Sequence, residues 1–304
     1  MPNMPRDGIS FPYVDTESGI APIVFVNPFG GTMGIWREQR AYFEDLNYRV
    51  ILYDQRGHGR NQGTASEGKR GEYSIELFAH DLEALMDHCG VQRATLVGAS
   101  LGAMVALEYA GMHPTRVHGL VLVGGYAPPL LRKGYKAKNR KVTQSFLADH
   151  KKIRKEGISA LKESKIKSYF GKPYEDLSEQ EQRACDIYFK GVAEMRIKEY
   201  IAVDLAILHK KDQTPVLRQI GDQFRDGLHF NYTHFITGER DFFRDAQTEM
   251  QACAPGSRIV VIPNAGHLCW LNQSTFFNEQ LHLFLRDSFS TPDMRSDRSA
   301  PSKK

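Results

Sequence analysis

The stretch ATLVGASLGAMVAL, residues 94–107, constrains the fold more than any other part of the chain. Ala94 to Val97 is short, apolar and partly β-branched, which suits a buried strand. Leu101 to Leu107 is rich in Ala, Leu and Met, which suits a helix. Between them stands Gly98-Ala99-Ser100-Leu101-Gly102, a G-x-S-x-G. A strand that becomes a helix within so few residues must bend sharply. Such a bend strains its central residue, and Gly98 and Gly102 remove the Cβ atoms that would clash there. The bend lifts the Ser100 hydroxyl clear of the sheet. It also sets it at a helix N-terminus, where backbone N–H groups and the helix dipole favour developing negative charge.

Strands and helices alternate around this stretch. A short leading strand is expected within Asp7–Tyr13, followed by strands at Ile23–Asn27, Tyr48–Tyr53, Val117–Val123, Phe230–Thr237 and Arg258–Ile262. Helices are expected near Ile35–Leu46, Ala246–Cys253 and Thr275–Arg286. A further helix spans Ser74–His88, with Ser74 as N-cap and Gly90 as its stop. The alternation predicts an α/β fold with a mostly parallel twisted sheet and helices on both faces, its reactive groups at the carboxyl ends of the strands. From 127 to 227 the β-rich runs vanish and charged helix formers dominate, as in a helical cap inserted after the sixth strand. The core is then 1–126 and 228–287. Residues 288–304, poor in apolar side chains, are expected to be a disordered tail.

The G-x-S-x-G between strand and helix resembles the nucleophile elbow of the α/β-hydrolases. A serine hydroxyl needs a base beside it, and the base needs a carboxylate to hold its tautomer. The resemblance implies the chain order Ser, acid, His. It points to Ser100, to Asp241 in FITGERD and to His267 in IPNAGH, each after a strand. Asp241 could instead cap the following helix, with Asp245 as the acid. His58, in the RGHG loop, is the rival histidine and reads as structural. Cys269, two residues past His267, reads as lining.

A tetrahedral intermediate also needs donors for its oxyanion. The resemblance assigns one to the backbone N–H of Leu101 and the other to the loop after Ile23–Asn27. The family often has His-Gly in that loop. Here it reads Asn27-Pro28-Phe29-Gly30-Gly31; Phe29 matches the family's donor position, so the resemblance implies its N–H, and Pro28, which has no N–H, narrows the choice.

NPFGGTMGIW, DQRGHG and GASLGAMVAL together resemble the 3-oxoadipate enol-lactonase branch and its esterase and cofactor-free haloperoxidase relatives. The match covers about 1–128 and 228–287 and leaves out the cap. It implies a serine hydrolase of an ester, lactone or thioester. Two other readings stay open: a C–C bond hydrolase, lyase or cofactor-free oxygenase on the same scaffold, and a non-catalytic ligand receptor.

Composition narrows the partners. Cys89, Cys185, Cys253 and Cys269 are scattered and read as reduced thiols of a cytoplasmic protein. Neither they nor the histidines show metal-ligand spacing, and no metal or organic cofactor is implied. The N-terminus has no secretory h-region, and no apolar run reaches the roughly 18 residues of a membrane helix. A net charge of +4 is too mild to imply nucleic acid. The basic run 130–172 reads either as solvated helix faces or as attraction for an anionic or carrier-linked small-molecule substrate. Oligomeric state is open, a homodimer included.

Overall fold

The computed structural model describes residues 1–61, 63–129, 136–225 and 232–289. Its strands are β1 (Asn3–Arg6), β2 (Ile9–Asp15), β3 (Pro22–Val26), β4 (Arg49–Tyr53), β5 (Ala94–Ala99), β6 (Val117–Val123), β7 (Tyr232–Gly238) and β8 (Arg258–Ile262). They form one sheet in the order β1-β2-β4-β3-β5-β6-β7-β8. The strands from β3 onward are parallel, while β1 and β2 run antiparallel at one edge. The expected leading strand is therefore a hairpin that starts earlier. Asp7 and Gly8 both take positive φ, 51° and 72°, the turn that an Asp-Gly pair favours.

The inner strands β5 and β6 are buried along almost their whole length, as apolar parallel strands covered on both faces should be. On one face lie α1 (Arg37–Asp45) and α11 (Ser274–Phe289). On the other lie α2 (Ile75–His88), α3 (Leu101–Met112) and α9 (Arg244–Cys253). Ser74 caps α2 by accepting from the Leu77 N–H. The chain passes from β3 to β4 on one side and then returns to β5 on the other. This reversal, beside β3, is where open α/β sheets place a binding crevice.

Between β6 and β7 the chain forms α4 (Lys136–Glu156), α5 (Lys162–Phe170), α6 (Glu179–Glu194), α7 (Ile197–Leu208) and α8 (Thr214–Arg225). The first four gather near the carboxyl ends of the strands. By contrast, α8 packs on α3 and α9, with Val216 against Gly111. The insertion expected over 127–227 thus ends its outer part at α7, because α8 completes the helix layer on the sheet. The expected tail also begins too early. Ser288 is buried in α11 and donates to the Phe284 carbonyl at 2.8 Å; residues 290–304 lie outside the described residues. Among the described residues no helix is long and apolar enough to cross a membrane.

Candidate active site

Ser100 follows β5 with φ 53° and ψ −110°, a backbone conformation that costs a non-glycine residue roughly 1–3 kcal/mol. Two glycines make the bend sterically possible. A Cβ on Gly98 would lie 2.2 Å from the Gly102 carbonyl oxygen, and one on Gly102 would lie 2.1 Å from that of Val26. Backbone thus meets backbone where β3, β5 and α3 converge. The Ser100 N–H donates to the Val123 carbonyl at 2.7 Å, fixing the bend to β6.

Ser100 is the N-cap of α3, yet its hydroxyl makes no capping bond. It faces His267 instead, with Oγ 3.0 Å from Nε2. The other ring nitrogen, Nδ1, lies 3.0 Å from Asp241 Oδ1. That carboxylate oxygen also accepts from the Phe243 N–H at 2.9 Å. The His267 side chain is 3% exposed and that of Asp241 0%, so their pairing is shielded from water. Asp241 follows β7 and His267 follows β8, and the pairing of these strands sets the two loops side by side.

The donors expected for an oxyanion are backbone groups. Val26 pairs with Gly98, so the loop after β3 lies next to the elbow. Pro28 to Gly31 form a turn, with the Gly31 N–H on the Pro28 carbonyl at 3.0 Å. Gly30 sits at its third position with φ 76°, where glycine is strongly favoured. Among the described residues, neither the Phe29 nor the Leu101 N–H has an acceptor within the protein. Two unclaimed donors beside a serine hydroxyl suit the oxygen of a tetrahedral adduct.

The rival residues fall elsewhere. Asp245 is exposed in the first turn of α9. His58 is fully buried, with Nδ1 2.9 Å from the Arg56 carbonyl, and burial lowers its pKa to about 4. Cys269 is buried, and desolvation pushes its thiol well above the usual value. Among the described residues no cluster of three or more His, Cys, Asp and Glu side chains is placed to hold a metal ion.

Residues 21–170 match the family model described as alpha/beta hydrolase fold. The chain has the α/β-hydrolase fold. A Klebsiella pneumoniae protein, provisionally named carbamate hydrolase RutD, is 27% identical over 275 residues, covering 89% of this chain and 92% of that one. A protein of the same name from Escherichia coli O157:H7 is 37% identical over 116 residues, 38% of this chain. The match spans about 40% of the length of that relative. Among solved structures, an enol-lactonase from Burkholderia xenovorans superposes with a TM-score of 0.77 at 21% identity, covering 94% of this chain and all of that one. At that identity the likeness is one of fold.

Around this α/β-hydrolase centre stand residues that no motif announced. Gly124, at φ 54°, lets the Asp241–His267 pair close over it: a Cβ there would lie 2.8 Å from Asp241 Oδ2. Tyr169 of α5 accepts the His267 backbone N–H on its carbonyl at 3.0 Å, and its ring centroid lies 5.2 Å from the imidazole. Phe242, 48% exposed, lies against the same imidazole at 4.4 Å. A narrow cavity of about 10 Å³, the room of one water, opens beside Phe29 and is lined by Tyr169, Tyr188, Tyr200 and Lys165. Gly124 carried a readable signal, a glycine just past a strand end. The tyrosines lie in helices whose sequence shows only amphipathic spacing.

Proposed function

We propose that the protein is a serine hydrolase that cleaves an ester, lactone or thioester through an acyl-serine intermediate. The observation that carries this reading is the imidazole of His267 standing 3.0 Å from both the Ser100 hydroxyl and the Asp241 carboxylate. The Ser100 proton passes to His267 Nε2 as Oγ attacks the carbonyl carbon. Asp241 holds Nδ1–H and stabilises the imidazolium. The Phe29 and Leu101 N–H groups receive the oxyanion. His267 then protonates the leaving oxygen or sulfur, and the carbonyl re-forms as the acyl ester of Ser100. A water, deprotonated by the same imidazole, attacks that ester. The acid leaves, and the proton returns to Ser100.

The helices from α4 to α7 act in this reading as a cap over the strand ends. A carbamate, the substrate named for the Klebsiella and Escherichia relatives, stands as a second reading. It presents the same carbonyl with nitrogen attached.

The test is hydrolysis of p-nitrophenyl acetate by wild type and Ser100→Ala. Loss of a triad nucleophile costs on the order of 10⁶ in turnover. An alanine variant as active as wild type would overturn the assignment.

A further inference from the structure

The helical insertion touches all three loops that hold the proposed machinery. Arg240, next to Asp241, pairs with the buried Glu181 of α6 at 2.9 Å. The base loop hangs on the Tyr169 carbonyl through the His267 N–H. The oxyanion loop is held by Tyr188, whose hydroxyl donates to the Phe29 carbonyl at 2.6 Å across 159 residues of sequence.

The third contact bears directly on catalysis. Phe29 has three handles: ring, carbonyl and N–H. Its ring packs on Tyr200 with centroids 4.6 Å apart. Its carbonyl is bound by Tyr188. Val192, on the same helix as Tyr188, presses so closely on Gly30 that a Cβ there would lie 2.4 Å from it. Only the N–H is left unclaimed. The carbonyl belongs to the Phe29–Gly30 peptide and the N–H to the Pro28–Phe29 peptide, so Tyr188 bears on the N–H through the Cα between them, which ring and carbonyl together hold in place. Without the Tyr188 bond the Phe29–Gly30 peptide is free to flip toward the commoner turn type, and Phe29 keeps only its ring as an anchor on the insertion.

We propose that Tyr188 is a positioning residue of the oxyanion hole: through the Phe29 carbonyl it aims the Phe29 N–H at the oxygen that becomes charged. The insertion then supplies part of the preorganisation that stabilises the transition state, in addition to covering the site. Tyr188 touches no reacting atom. Its hydroxyl also lies 3.4 Å from that of Tyr169, which links the oxyanion and base loops through the insertion.

The inference rests on the serine-hydrolase reading, and its test separates the two. With p-nitrophenyl acetate, Tyr188→Phe is expected to lower kcat about five- to tenfold with KM within twofold of wild type. That is the size of one net hydrogen bond acting only in the transition state. Affinity for phenylboronic acid, which forms a tetrahedral anion on serine, is expected to fall by the same factor. A merely structural role would lower the melting temperature and leave kcat and boronate affinity of the folded protein unchanged, and that result overturns the proposal. Should Tyr188→Phe fail to fold, Val192→Ala decides. Relaxing the pressure on Gly30 is expected to lower kcat about threefold at constant KM, and an unchanged kcat overturns the proposal. If Ser100→Ala stays active the hydrolase reading falls. If it is inactive while Tyr188→Phe and boronate binding are normal, only the role of Tyr188 falls.

Discussion

At the strand ends, backbone packs on backbone: Gly98 against Gly102, Gly102 against Val26, Ser100 bonded to Val123. In the helices above them, side chains reach down: Tyr188 to Phe29, Glu181 to Arg240, with the Tyr169 carbonyl as a main-chain anchor. The first kind of contact admits almost no substitution, because a Cβ at 2.1–2.2 Å from a carbonyl oxygen has nowhere to go. The second kind can be exchanged for another polar pair of similar reach. In the proposed reaction the lower layer fixes the chemistry, and the upper layer adjusts how well it runs.

The comparison breaks first at its centre. If Ser100→Ala does not abolish turnover, the lower layer does not hold the chemistry, and the contrast loses its meaning. Next in size, Gly102→Ala drives a methyl group into the Val26 carbonyl. It is expected to cost about 3 kcal/mol or more of stability, read by urea unfolding, and to remove at least a hundredfold of esterase activity. A tolerated alanine would mean that the elbow is as adaptable as the insertion.

Acid should strain the lower layer too. Burial lowers the pKa of His58 to about 4, against an ordinary 6.5, and does the same to His118 and His234. A histidine whose folded pKa is depressed contributes its full stability above about pH 6.5. It loses that contribution as pH falls toward 4, because the unfolded chain takes the proton first. For fully buried His58 the difference corresponds to about 3 kcal/mol. The denaturation midpoint should therefore fall steeply between pH 6.5 and 4, and His58→Gln should flatten the slope by about one proton. The smallest effect belongs to the insertion's surface. Lys151→Glu and Lys152→Glu, on the exposed side of α4, should shift stability by less than about 0.5 kcal/mol. If they also slow hydrolysis of an anionic ester while sparing a neutral one, the basic run attracts substrate.

The same division explains what could be read from the chain alone. Strands β6 and β8 fall on the expected residues, and Ser100, Asp241 and His267 meet as their order in the sequence required. These features are written locally, as apolar runs and as glycines where two backbones touch. Phe29 came from its match to the family's donor position, with the choice narrowed by Pro28, which has no N–H to offer. Tyr169 and Tyr188 were not legible. Each is an ordinary tyrosine on an amphipathic helix, and its importance lies in a partner far along the chain. The edge hairpin could have been read from Asp7-Gly8. The position of α8 could not, because Val216 looks the same whether it faces a cap or a core.

The thiol of Cys269 sits two residues beyond His267, fully enclosed and held in its protonated form by the apolar surroundings. Alkylating reagents act on thiolates they can reach, so this sulfur stays silent for as long as the surrounding chain is closed. Half-buried Cys253 offers easier access on the same molecule, whereas burial and Asp15 push the Cys89 thiol up to about 12. The delay between the modification of Cys253 and that of Cys269 measures how often this corner of the protein breathes open, a natural stopwatch beside the imidazole that requires no introduced label.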